Sequence, residues 1–220
     1  MSYGVLLSTE SGEVWVSQES IPLALYAKKS VTVTTGSTIT SLTQSYDVNQ
    51  PIIPFVYTTG EGALWSDIAN GVCTISLRNA AIGTRMEVYF FSIFPQPLPD
   101  YGLAIWNADE ICVLTNETKT LSDLEKVGGS GTASDNGINT NIFKSGKWGC
   151  VPEYLGIATG VINDPLPRPW QSNIRAIARS EGAGTRIVAF GDAGSSTGVS
   201  GVAFTNGHGN VIITRLDAYD

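Results

Sequence analysis

The sequence has little charge, and what it has is mostly acidic. Of its 220 residues only 15% are charged, and 20 acidic side chains face 13 basic ones, giving a net charge of −7. Ordinary soluble domains carry about a quarter charged residues. Sequence-independent binding to nucleic acid requires clustered Lys and Arg, and so does binding to an anionic membrane surface. The charge balance therefore predicts no nucleic-acid partner and no polybasic membrane contact.

Cysteine and histidine are scarce as well. Cys73, Cys112 and Cys150 form an odd set without a CxxC spacing, so we expect free thiols, buried or half-buried, in a protein made in a reducing compartment. The single histidine, His208, lies in a Gly-His-Gly turn far from any cysteine. No Gly-x-Ser-x-Gly elbow precedes a helix, and no pair of carboxylates stands out as that of a glycosidase. The sequence predicts no catalytic residue, no metal ligand and no cofactor.

Long apolar runs are also missing. The strongest, residues 86–94, is interrupted by Glu87 and Ser92 and is too short to span a bilayer. The N-terminus has no basic region of the kind that opens a signal peptide. We expect a protein without a membrane span that is assembled in the cytosol and leaves a cell by lysis or inside a particle.

A period-2 alternation of apolar and polar residues is what the sequence does contain. Cysteine, isoleucine and leucine alternate with Thr and Ser over residues 73–77, as in a half-buried strand. Residues 86–91 are apolar on both faces apart from Glu87, which predicts a strand buried on both sides. Twenty-four glycines and ten prolines separate the segments, and none keeps a helical period over several turns. The pattern predicts an all-β, antiparallel fold.

One hairpin pattern occurs twice. Tyr-Gly at residues 3–4 opens an apolar strand, a polar turn and a second strand led by Glu13. Tyr-Gly at residues 101–102 opens the same sequence of features, with one fewer turn residue and with Glu110 leading the second strand. Such self-similarity predicts a duplicated β-hairpin.

The best candidate for a domain boundary comes directly before the second copy. Residues 95–100 read Pro-Gln-Pro-Leu-Pro-Asp, and prolines at alternate positions favour an extended, semi-rigid spacer. We therefore predict two tandem, related antiparallel β-sandwich modules, 1–95 and 100–220, the second with longer loops, joined by a Pro-rich linker at 95–100.

Aromatic side chains near turns are the remaining candidates for binding. Trp106 and Trp148 lie next to predicted turns, Trp170 lies in a second Pro-rich stretch, and Tyr154 completes the set. Trp and Tyr stack on sugar rings and anchor protein interfaces, so these four are the predicted ligand or interface residues. The alternative is that they fill the core.

The opening of the chain carries a resemblance. Residues 1–4 (Met-Ser-Tyr-Gly) are followed by Ser-Gly-Glu-Val at 11–14, and the second copy has Tyr-Gly at 101–102 and Asn-Ala-Asp-Glu at 107–110. This pattern resembles the N-termini of small bacteriophage virion proteins encoded among tail and tail-tip genes, although Asp109 replaces the turn glycine. The resemblance covers two hairpins, not the whole chain.

The resemblance implies a structural component of a phage tail at the tip, the baseplate or a fibre attachment. Such a protein is assembled in the host cytoplasm, resides in the virion, and contacts other tail proteins as a symmetric homo-oligomer rather than acting as an enzyme. One alternative is a module that binds a carbohydrate on the host surface. A glycan depolymerase is disfavoured, because a right-handed β-helix needs many more residues.

Overall fold

The structure is a computed structural model, and it describes most of the chain. The described residues are 7–8, 14–16, 21–36, 38–129, 138–163, 165–193, 198–207 and 210–220, with the backbone alone for the first two stretches. His208, Tyr3 and Gly4 lie outside them. In the described ranges there is no α-helix, and a 3-10 helix at Asp217–Tyr219 is the single helical turn. The prediction of an all-β fold is confirmed.

Eighteen β-strands are formed by the described residues. In chain order they are β1 (Leu7–Ser8), β2 (Val14–Val16), β3 (Ala24–Thr32), β4 (Ile39–Ser45), β5 (Ile52–Thr58), β6 (Ala63–Ala69), β7 (Val72–Arg78), β8 (Arg85–Ser92), β9 (Ala104–Trp106), β10 (Cys112–Thr115), β11 (Glu125–Gly128), β12 (Asn141–Ser145), β13 (Trp148–Cys150), β14 (Tyr154–Asn163), β15 (Pro167–Glu181), β16 (Gly184–Gly191), β17 (Val199–Asn206) and β18 (Asn210–Arg215).

These strands form four sheets. An eleven-stranded sheet follows the path β11-β18-β13-β5-β15-β14-β17, with β8 and β3 branching from β5, and β16 and β12 branching from β15. A three-stranded sheet has the order β4-β7-β6, and β1–β2 and β9–β10 are separate two-stranded ribbons. Pairing is antiparallel throughout, apart from one parallel bridge between Thr58 of β5 and Arg179 of β15.

The large sheet joins the two halves of the chain. β5 comes from the first predicted module, yet Val56 pairs with Cys150 of β13, which comes from the second. The main hydrophobic core likewise contains Val88 from the first half and Ile177 and Ile213 from the second. The physical reason is that β5 is apolar on both faces and needs cover from more strands than residues 1–95 supply. The expected division into separate modules is therefore corrected to one shared sheet and core.

Two hydrophobic clusters lie on the two faces of β5 and β8, and a third, smaller cluster lies in the β9–β10 hairpin. The three-stranded sheet contributes Ile75 and Leu77 to the main core, in the manner of one sheet packed on another. On the opposite face Phe91 packs edge-to-face on Phe55 at 5.7 Å and on Tyr219 at 4.9 Å between ring centroids. The residues of β8 after Arg85 are all buried, as predicted from the apolar run on both faces.

The two hairpins share one register. Ser8 pairs with Val14 in the first, and Trp106 pairs with Cys112 in the second. Trp106 and Cys112 each lie 98 residues after their counterparts in the first hairpin. In both hairpins the pair next to this one leaves one residue of the second strand unpaired, as at a β-bulge. The turns are thus equally long, which corrects the expectation of one fewer turn residue in the second copy.

This register changes which residues correspond. Glu110 matches Gly12 rather than Glu13 when the copies are aligned at the constant offset of their paired strands. Glu110 has a φ of 60°, in the left-handed region where glycine is favoured. The register therefore places Glu110 at a position where the first copy has a glycine.

Candidate functional site

Of the four predicted aromatic residues, Trp148 is part of the core. It lies in β13 between β18 and β5, is buried, and donates a hydrogen bond from Nε1 to the carbonyl oxygen of Ser145 at 2.9 Å. A buried indole with its N–H satisfied fills space rather than meeting a ligand. The alternative weighed for these aromatic residues, that they are core fillers, holds for Trp148.

Trp170 and Tyr154 lie on a long ribbon and do not meet. Tyr154 is opposite Arg175 near the base of the β14–β15 pair, and Trp170 is opposite Gly160 further along. At the usual strand rise the two positions are about 20 Å apart. Tyr154 is exposed and Trp170 is half-buried, so each is a separate surface position.

Trp106 lies in an exposed apolar cluster on the second hairpin. The exposed fractions are 65% for Leu98, 90% for Tyr101, 56% for Leu103 and 52% for Trp106. These four residues, here called the hairpin patch, line a shallow depression of about 390 Å³. Leu98, Tyr101 and Leu103 were not predicted from the sequence as binding residues. They could have been, because a plain linker would have polar residues at these positions.

The backbone that presents the hairpin patch is fixed by a glycine. Gly102 has a φ of +125°, and a Cβ built on it would lie 2.1 Å from Oδ1 of Asn116. That same oxygen accepts a hydrogen bond from the backbone N–H of Leu103 at 3.0 Å. The second Tyr-Gly pair is therefore a structural device in which glycine permits a turn closed by Asn116.

A polar cluster lies on the face of the large sheet that also carries Phe55 and Phe91. Lys147 Nζ donates to Glu87 Oε2 at 2.6 Å and to the hydroxyl oxygen of Tyr89 at 2.7 Å. It also donates to Asp220 Oδ2 at 2.9 Å, and Lys28 Nζ donates to Asp220 Oδ1 at 2.6 Å. The Tyr89 hydroxyl in turn donates to Asp220. These five residues are called the Lys147 cluster.

The electrostatics of the Lys147 cluster keep Glu87, Asp220 and Lys147 charged and Tyr89 neutral. Burial, and then the carboxylates of Asp220 and Glu87, raise the pKa of Tyr89 far above its usual value. Burial alone would raise the pKa of Glu87 and lower that of Lys147. Their mutual hydrogen bond and charge, together with Arg85 and Tyr89 beside Glu87 and Asp220 beside Lys147, shift both pKa values the other way. A general acid or base needs a pKa near the working pH. The shifts of Glu87, Tyr89 and Lys147 move their pKa values away from that range.

The three cysteines are free and buried, as predicted. Burial raises the pKa of Cys73 to about 11 and that of Cys150 to about 12. A thiol is nucleophilic and ligates metals as the thiolate, so Cys73 and Cys150 are inert at neutral pH. Among the described residues no group of three or more His, Cys, Asp and Glu is placed to hold a metal ion.

A second concave surface lies between the second hairpin and the edge of the large sheet. It is a cleft of about 790 Å³, within the range of about 300–1,000 Å³ that small-molecule sites occupy. Its lining combines aromatic, carboxylate and amide side chains, among them Tyr26, Asp47, Gln50, Phe94, Asn107 and Asp109. This surface is called the Tyr26 cleft.

No helix in the described ranges combines the length and apolar character needed to cross a bilayer. Comparison with known proteins found no matching family model, no matching curated protein and no matching solved structure.

Proposed function

We propose that the chain is a structural component of a bacteriophage tail, at the tip, the baseplate or a fibre attachment, acting through protein–protein interfaces. Its partners are other tail proteins and further copies of itself in a symmetric assembly. The observation that carries the interface role is the hairpin patch, and the resemblance of the two Tyr-Gly hairpins to small tail proteins supports the setting.

The composition of the hairpin patch supports an interface. Single exposed apolar residues are normal on a protein surface, whereas adjacent ones mark contact sites. Tyr101 and Trp106 are of the residue types that contribute most at interfaces, each about 2 kcal/mol or more when buried at the centre of one. The turn at Gly102 and Asn116 is fixed before any partner arrives, which lowers the entropic cost of association.

A role without catalysis is supported by the chemistry of the described residues. Within the Lys147 cluster, Glu87, Tyr89 and Lys147 have pKa values moved away from neutrality. The buried thiols of Cys73 and Cys150 have raised pKa values as well. An acid–base or nucleophilic site shifts pKa values toward the working pH instead.

The experiment is quantitative mass spectrometry of purified particles of a tailed phage that encodes the chain. We expect peptides of this chain at a copy number that matches a rotational symmetry of the tail, and retention through a density gradient and a high-salt wash. A protein abundant in the lysate but absent from washed particles would overturn the proposal. A major capsid peptide and a non-virion phage enzyme serve as positive and negative controls.

A further inference from the structure

The Tyr26 cleft is built where four parts of the chain meet. Tyr26 of β3 and Phe94, which follows β8, contribute the aromatic rings of its apolar lining, which also includes Ile21, Ile93, Pro95, Ile111 and Val113. Asp47 and Gln50 come from the turn between β4 and β5, and Asn107 and Asp109 come from the turn of the second hairpin. Polar groups from two separate turns thus face an aromatic surface across one opening.

A β-bulge sets the direction of Tyr26. In β3 Leu25 pairs with Phe91 and Ala27 pairs with Phe90, so Tyr26 is an extra residue without a partner opposite. A bulge re-aims the side chain of its extra residue, and bulges are over-represented beside functional sites. The Tyr26 ring meets Phe94 edge-to-face at 5.1 Å between centroids and yet stays exposed. A ring held in place and open to solvent is a stacking platform.

Two of the polar side chains around the cleft, Asp47 and Asn107, are held in place by local hydrogen bonds. Asp47 Oδ1 accepts from both the backbone N–H and the side-chain amide of Asn49 at 3.0 Å. Asn107 Oδ1 accepts from the backbone N–H groups of Asp109 and Ile111 at 3.1 and 2.9 Å. The Nδ2 group of Asn107 and the carboxylate of Asp109 have no hydrogen bond among the described residues. The fixed amide of Asn107 and the exposed carboxylate of Asp109 are therefore placed to bond to a ligand.

The chemistry of this lining selects a class of ligand. Aromatic rings pack on the C–H faces of sugars, and carboxylate and amide groups pair with their hydroxyls. The described residues that line the cleft include two carboxylates and no Lys, Arg or His, so an anionic ligand would be repelled. We propose that the Tyr26 cleft binds a neutral saccharide, with Tyr26 stacking on a sugar ring and Asp47, Asn107 and Asp109 bonding to hydroxyls.

The test measures the binding of neutral disaccharides to the full chain. Cellobiose, maltose, lactose and N,N′-diacetylchitobiose are titrated by isothermal calorimetry and saturation-transfer NMR, with sialyllactose as an anionic comparison. We expect saturable binding of at least one neutral sugar at millimolar concentration. Tyr26→Ala should weaken it about tenfold, since a stacking contact is lost, while Tyr26→Phe keeps the ring and the binding.

Two further variants separate this proposal from general damage and from the interface role. Asp109→Asn, at an exposed turn position, should weaken binding several-fold without changing stability. Tyr101→Ala removes a residue of the hairpin patch and should leave sugar binding unchanged. Failure of all the neutral sugars to saturate, tighter binding of sialyllactose than of lactose, or full binding by folded Tyr26→Ala and Asp109→Asn would overturn the saccharide site. None of these results bears on assembly through the hairpin patch.

Discussion

Replacing Lys147 by Met tests whether the Lys147 cluster stabilises the fold. The side chains of Lys147 and Glu87 are 17% and 12% exposed, so their ion pair is largely withdrawn from water. Removing one partner of a fully buried pair costs about 3–5 kcal/mol. The residual hydration reduces this cost, and Arg85, whose Nε lies 3.1 Å from Glu87 Oε1, still compensates that carboxylate. We therefore expect a loss of about 2 kcal/mol.

Urea unfolding at neutral pH, followed by tryptophan fluorescence, measures this loss. For a slope of about 2 kcal/mol per molar, a loss of that size lowers the midpoint by about 1 M. Lys126→Met is the matched control, because Lys126 is exposed in β11 and its loss should change stability by no more than about 0.5 kcal/mol. Equal urea midpoints for the two variants would refute a stabilising role for the Lys147 cluster.

The pH dependence of the free energy of unfolding gives a second test of Lys147→Met. Burial opposes ionisation of Glu87 and Asp220, but hydrogen bonds from lysine side chains outweigh it, and their pKa values fall below the ordinary 4.5 and 3.8. A lowered folded pKa gives stability that is present above the ordinary value and is lost as the pH falls through the folded one. The difference between wild type and Lys147→Met should therefore shrink below about pH 4. A difference that persists undiminished in acid would contradict the account.

Other predictions concern the hairpin, the tryptophans and the thiols. Gly102→Ala should cost about 2 kcal/mol in urea unfolding, because a Cβ would clash with Asn116 at a positive φ, and unchanged stability would contradict this. Trp148→Ala should cost about 3–5 kcal/mol, and Trp106→Ala no more than about 0.5, in thermal unfolding, and the reverse order would be incompatible with their burial. Cys150 should react with iodoacetamide at neutral pH only in denaturant, and rapid labelling of the native protein would show an open core.

Local pattern predicted the strands well. Residues 86–91, apolar on both faces, form part of the buried strand β8, and the alternation at 73–77 lies within β7. The Tyr-Gly pattern at 101–102 leads into the β9–β10 ribbon. These features depend on the periodicity of neighbouring residues, which is visible in the sequence alone.

Long-range pairing was beyond the same reasoning. The Pro-rich stretch at 95–100 has the composition of a linker, but the strands on its two sides share one sheet through contacts such as Thr58 with Arg179. The local sequence of β5 does not indicate which strands will pair with it. The burial of Trp148 has the same origin, because β13 becomes a central strand only when β18 and β5 pair with its two edges.

The candidate binding residues differ in the same way, since some depend on local sequence and others on long-range strand pairing. Trp106 was found from its position beside a turn, since turn residues lie at the surface. Tyr26 was not found, because its orientation depends on a bulge in β3, and the pairing of β3 with β8 is not visible in either strand alone. The hairpin register also needed the structure, since the glutamates at 13 and 110 suggest an alignment that differs by one residue from that of the paired strands.

The most direct test of the central claim is the molar mass of the purified protein, measured by light scattering during size-exclusion chromatography. We predict a discrete multiple of the monomer mass for the wild type and a monomer for Tyr101→Ser/Trp106→Ser. Ile82→Ser, which changes an exposed apolar residue between β7 and β8, should keep the wild-type mass. A wild type that is monomeric at every concentration, or a double variant that keeps the oligomer, would contradict assembly through the hairpin patch.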